Sequence, residues 1–173
     1  MASQSVTGHR TIQAPQSVIF DLLADPSRHG EIDGSGSIQA TKGEVPQRLS
    51  LGASFGMSMK RGAAYSVKNT VVAYEEDREI AWQHGMGGIW RYRLSPAEGG
   101  TLVSESFEYG GVRGRAIALL GFPAKNRAAI DATLQRLAAD VGGGPRSFVA
   151  PPSRAALPVA RLAPSGDRLP ARG

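Results

Sequence analysis

Apolar and polar residues follow two rhythms along the chain. A helical period, with apolar residues three and four apart on one face, marks two stretches. The first follows Pro15, where Val18, Ile19, Leu22 and Leu23 form a stripe. Proline suits the first turn of a helix because its missing N–H would have no partner there. Asp25-Pro26 ends this helix and opens a short second one, since an aspartate side chain accepts orphan N–H bonds. The second long stretch restarts at Phe122-Pro123 and carries Ile130, Leu134, Leu137, Ala138 and Val141 on one face, until Gly142 to Gly144 stop it. At ~1.5 Å per residue this last helix is roughly 28 Å long, enough to lie across a whole sheet.

Between the two helical stretches the period is two. Strands are predicted over 37–41, 53–60, 64–75, 79–84, 89–96 and 101–109, with a first strand at 6–13 ahead of the helices. The breaks carry turn chemistry: Arg61-Gly62, Glu76-Asp77-Arg78, Gly85 to Gly88 and Glu98-Gly99-Gly100. Consecutive strands joined by short turns predict an antiparallel meander. DGSGS (33–37) reads as a flexible connection from the short helices into it.

This order, with its phrases "APQSVIFDLLADPSRH" (14–29), "YSVKNTVVAYEEDREIAW" (65–82) and "WRYRLSPAEGGTLVSESFEY" (90–109), resembles the START-like or Bet v 1-like (SRPBCC) superfamily. The likeness is nearest to its polyketide cyclase/dehydrase branch and covers about residues 5–141. It implies an α+β helix-grip fold: a curved antiparallel sheet of about seven strands wrapped on a long C-terminal helix, with two short helices after the first strand. It also implies that lipids, sterols, polyketides or other apolar molecules bind between sheet and last helix, generally without a cofactor. Some members cyclise or dehydrate polyketide intermediates, and many have no known reaction.

Composition refines the boundaries. Of 173 residues, 1–141 are expected to form the folded domain and 142–173 a disordered tail rich in Pro, Arg and Ala. The tail's frequent prolines forbid a long helix. The net charge of +5 sits mostly there: beyond Gly142 stand five arginines and one acid, Asp167, leaving +1 for the domain. A basic nucleic-acid face on the domain is therefore not expected. No cysteine is present, which excludes disulfides and thiolate chemistry and is compatible with a reducing cytoplasm, the expected location. The N-terminus has no apolar signal-type segment, and no stretch approaches the ~20 residues of a membrane span. The oligomeric state is not legible.

Strand alternation assigns side chains to faces. Val103, Glu105, Phe107 and Tyr109 share one, and so do Trp90, Tyr92 and Leu94, then Ile80, Trp82 and His84, then Phe55, Met57 and Met59. Val103 and Phe107 call for burial, which turns Glu105 inward with them. Rings with a few polar groups are what small-molecule pockets present, though the same pattern also describes ordinary sheet core. The expected ligand-binding set is Phe55, Met57, Met59, Tyr65, Asn69, Trp82, Trp90, Val103, Phe107, Tyr109, Ile130 and Leu134, for an apolar small molecule. Glu105, His84 and Tyr92 are the candidates for proton transfer should the protein be an enzyme. Burial would raise the Glu105 pKa by removing hydration from its charged form. The alternatives for Glu105 are pairing with a neighbouring arginine such as Arg91 or Arg93, or a place near the rim.

His29, Glu31 and Asp33 alternate in a way that suggests metal ligands, but the segment is Gly-rich and nothing supports it with further spacing, so no metal is expected. Gly111-Val-Arg-Gly114 matches a nucleic-acid-binding G-x-x-G loop but reads better as a turn. There is no nucleophile elbow, P-loop or dinucleotide fingerprint. Three functions remain: binding of an apolar or amphipathic molecule, a cyclase- or dehydratase-type enzyme in the same cavity, and a module that recruits a partner through its basic tail.

Overall fold

The computed structural model describes residues 4–85, 87–110 and 122–142. Seven strands form one antiparallel, curled half-barrel sheet: β1 (Gln4–Ile12), β2 (Ile38–Lys42), β3 (Ser54–Arg61), β4 (Ala63–Glu75), β5 (Glu79–His84), β6 (Ile89–Ala97) and β7 (Gly100–Tyr109). Their order across the sheet is β1-β7-β6-β5-β4-β3-β2. The six strands β2 to β7 are thus a meander, as predicted. The first strand joins it by pairing with the last, Val6 opposite Phe107 and Gly8 opposite Glu105. Register shifts interrupt the ladder between Ile38 and Ala40 and between Val71 and Ala73, and such bulges sharpen the local bend.

Two helices, α1 (Gln16–Ala24) and α2 (His29–Ile32), follow β1, separated by a 3-10 turn over Pro26–Arg28. The Asp25 carboxylate accepts the Ser27 N–H at 2.9 Å, the capping role read from Asp25-Pro26. The apolar stripe of α1 is rotated from the predicted one: Ile19, Phe20, Leu22 and Leu23 are buried, while Val18 is 45 % exposed. Phe20 displaces Val18 because its ring meets Tyr74 edge-on at 5.3 Å across the sheet.

The last helix, α3 (Phe122–Gly142), packs mainly against β1, with α1, α2 and β7 also in contact. Ile130, Leu134 and Leu137 are buried, as the helical period requires. The approach is possible because Gly8 has no side chain. A Cβ there would lie 2.6 Å from the Ile130 Cγ2 and 3.3 Å from the Leu134 Cδ1. Gly34, in the connection from α2 to β2, sits equally close on the other side, where a Cβ would collide with the Ala129 carbonyl oxygen and the Thr133 N–H. The Gly34 N–H donates to the Thr133 hydroxyl at 2.9 Å, and the Arg136 guanidinium donates to the Asp33 carbonyl. The segment 33–37, read as a flexible connection, is therefore tied to α3. The expected tail and the 111–114 turn lie outside the described residues.

Candidate functional site

The curl of the sheet leaves a cavity of about 670 Å³ beneath α3. That is well above the ~300 Å³ at which ligand pockets begin. Its walls come from every level of the fold: β3 to β7, the α2–β2 segment and α3. Ser35 and Arg61 are exposed lining residues and mark the mouth.

Most of the face assigned from strand alternation lines this space. Phe55, Met57, Met59, Tyr65, Asn69, Trp82, His84, Trp90, Tyr92, Glu105 and Phe107 all do. Register explains the grouping. Trp82 stands opposite Trp90, and Trp90 opposite Phe107, so three rings form one rung across β5, β6 and β7. The Trp90 and Phe107 rings are 4.7 Å apart. The next rung runs Ile80, Tyr92, Glu105, Gly8.

Four expected ligand-binding residues do not line the cavity: Val103, Tyr109, Ile130 and Leu134. Val103 faces inward but pairs with Leu94 where the sheet is already filled by core. Tyr109 stacks on Phe107 at 5.9 Å, one step beyond the wall. Ile130 and Leu134 are spent filling the space over Gly8. The cavity face of α3 is instead Asn126, Ala129 and Thr133, beside the stripe that looked decisive. Their spacing of three and four was visible in the sequence. The signal was missed because small and polar residues do not register as an apolar face.

His29 was the other residue read differently. It is 4 % exposed, stacks on Trp82 at 4.9 Å with planes 20° apart, and meets Phe55 edge-on at 5.5 Å. Its Nε2–H donates to the Leu23 carbonyl at 2.8 Å. Burial pushes its pKa down, so the ring is neutral and part of the aromatic wall. Glu31 is engaged by Arg28 at 2.9 Å, and Asp33 accepts from the Ser35 and Ile38 N–H groups. These three side chains do not converge, and no group of three metal-binding side chains occurs among the described residues.

Glu105 is the chemical centre of the pocket. It is 2 % exposed, and the Tyr92 hydroxyl donates to its Oε1 at 2.9 Å. The arginine partners weighed from the sequence are turned outward: Arg91 pairs with Glu79 and Glu108, and Arg93 with Glu79. Burial holds the Glu105 carboxyl well above the usual carboxylate range, with Asp33 and Asp131 adding to the rise and the Tyr92 bond opposing it. Tyr92 is itself pushed well up, first by burial and then by Glu105. Burial thus favours the uncharged form of both members of the pair. Burial also lowers the His84 pKa, which keeps that ring neutral.

Comparison with known proteins agrees with this architecture. An uncharacterized protein of Mycobacterium tuberculosis, Rv0088, is 35 % identical over 135 residues, 73 % of this chain. The chain spans 59 % of that relative's length. The crystal structure of protein Ms6760 from Mycobacterium smegmatis superposes with a TM-score of 0.64 at 15 % identity, covering 83 % of this chain and 98 % of that one. The Polyketide_cyc-like protein Cgl2372 from Corynebacterium glutamicum gives 0.54 at 23 % identity, covering 81 % and 90 %. At these identities the two structures speak to the fold alone. Residues 3–142 match the profile of the family described as polyketide cyclase / dehydrase and lipid transport, and the chain belongs to that family.

Proposed function

We propose that the chain binds an apolar or amphipathic small molecule, lipid- or polyketide-like, in the cavity between the curled sheet and α3. The observation that carries this reading is the cavity of about 670 Å³ walled by Trp82, Trp90, Phe55 and Phe107. Protein interiors otherwise pack to crystal-like density, and an empty volume of this size forfeits dispersion contacts around its whole lining. A ligand restores them. Family membership supports the same class of cargo. A cysteine-free chain also fits action in a reducing cytoplasm.

Purified protein should carry a stoichiometric small molecule in native mass spectrometry, or bind apolar probes saturably after delipidation. Neither a bound mass nor saturable binding of any apolar probe would remove the reading.

A second reading, proton-transfer catalysis of the cyclase or dehydratase kind, is favoured by one observation. Glu105 is a buried carboxyl on the cavity wall, and burial favours the protonated state from which a general acid donates. Tyr92 would position it through the 2.9 Å hydrogen bond.

A further inference from the structure

Two polar atoms of the cavity wall lack hydrogen-bond partners among the described residues: Glu105 Oε2 and Asn69 Oδ1. Both side chains are almost fully buried, 2 % and 3 % exposed, and both line the cavity. A buried polar atom without a partner costs roughly 1–3 kcal/mol, so native folds leave few of them. Two in one pocket point to what the pocket accepts.

Their chemistry differs. With the Tyr92 hydroxyl on Glu105 Oε1, a proton on the buried carboxyl sits on Oε2 and makes that atom a donor, and burial favours that protonated form. Asn69 Oδ1 is an amide oxygen and only accepts. They stand on β7 and β4, on either side of the strands that carry Trp82 and Trp90. The buried atoms of the wall that lack a partner are thus one donor and one acceptor flanking an aromatic floor. Arg61, the guanidinium among the lining residues, is exposed at the mouth rather than beside them.

Resting on the reading of this cavity as a ligand site, we infer that Glu105 and Asn69 select a neutral ligand, one with a carbonyl-type oxygen that accepts from Glu105 and a hydroxyl that donates to Asn69. A ligand carboxylate is rejected. It would have to shed its hydration in a largely apolar pocket whose carboxyl groups, Glu105 and Asp33, offer no compensating positive charge. Selectivity by polarity then lies with two residues, and the rings contribute unspecific affinity.

Three matched probes test this by fluorescence titration of the delipidated chain at neutral pH: naphthalene, 6-hydroxy-2-acetylnaphthalene and 6-hydroxy-2-naphthoate. Water retains the hydroxy-ketone more strongly than the hydrocarbon, so a preference for it must come from hydrogen bonds in the pocket. The hydroxy-ketone should bind on the order of tenfold tighter than either of the others, the weight of one satisfied buried pair. Glu105→Leu and Asn69→Leu should each reduce that preference, and Glu105→Gln, which keeps a donor, should restore it.

Equal affinity for naphthalene and the hydroxy-ketone would mean that water satisfies the two atoms, and would overturn the inference while leaving the cavity reading intact. Equal or tighter binding of the naphthoate would do the same. Failure of all three probes to bind would overturn the inference, and the cavity reading falls with it only if no co-purifying mass and no other apolar probe is bound. The wild-type series decides the matter even if a leucine variant does not fold.

Discussion

Glu105 shows how one side chain can be placed by its neighbours rather than by its own preference. A lone carboxylate belongs at the surface. Here the period-two pattern fixes it between Val103 and Phe107, and the Gly8 side of its rung is covered by Ile130 and Leu134. The consequence is measurable. Its folded pKa lies above the unfolded value, so the folded state binds the proton more tightly. Below about pH 4.5 both states are protonated and the group costs nothing further. As pH rises, the unfolded chain gains stability by ionising while the folded one does not, and folding weakens by up to ~1.4 kcal/mol per pH unit until the folded pKa is reached. The groups facing Glu105 are Tyr92 on β6, Asp33 in the α2–β2 segment and Asp131 on α3. Glu105→Gln removes this dependence. Its melting temperature relative to wild type should therefore climb between pH 5 and pH 8. Parallel profiles would show that Glu105 is already ionised in the fold.

At the scale of elements, the seating of α3 depends on two glycines that face it from opposite sides. Gly8 admits Ile130 and Leu134 onto β1, and Gly34 brings the α2–β2 segment against the backbone of α3 at Ala129 and Thr133. Neither is needed for an unusual backbone angle, and the demand is purely for space. Gly34→Ala places a methyl group into backbone atoms that have nowhere to move. It should cost about 1–3 kcal/mol of stability, as overpacking does. It should also speed amide exchange over 33–38 relative to the strands, since the Thr133 and Arg136 bonds to this segment lengthen. Unchanged exchange there would show that the loop is held by other means. Helices and strands themselves were legible to within a residue or two. The α1 stripe was misjudged by one step at Val18, because only the packing of Phe20 against Tyr74 decides which side of that helix meets the sheet.

For the whole molecule, a ligand bound in the proposed site would add to the stability of the fold. Sheet and α3 meet over β1, while the opposite flank of the half-barrel stands away and leaves the space of about 670 Å³. A ligand that fills it binds only the folded state. At a hundredfold excess over its Kd it should stabilise by ~2.7 kcal/mol, which for a domain of this size is roughly 10 °C in Tm. A bound probe that leaves Tm unmoved would be sitting on the surface instead. Among the described residues no helix is long and apolar enough to cross a membrane.

The amino-acid sequence by itself determined the order of elements, the antiparallel meander and the inward faces of β3, β5, β6 and β7. Those follow from local periodicity, turn chemistry and the alternation of side chains, all of which act over a few residues. It also marked Glu105, Tyr92 and the tryptophans as sharing one surface. Only the tertiary structure decided how much of that surface is filled. Whether Val103 ends in core and Trp90 at a cavity depends on where a curled sheet and a helix part company. So does the pairing of Glu105 with Tyr92 instead of an arginine. Those distances are set by packing between residues far apart in the chain, and no local pattern encodes them.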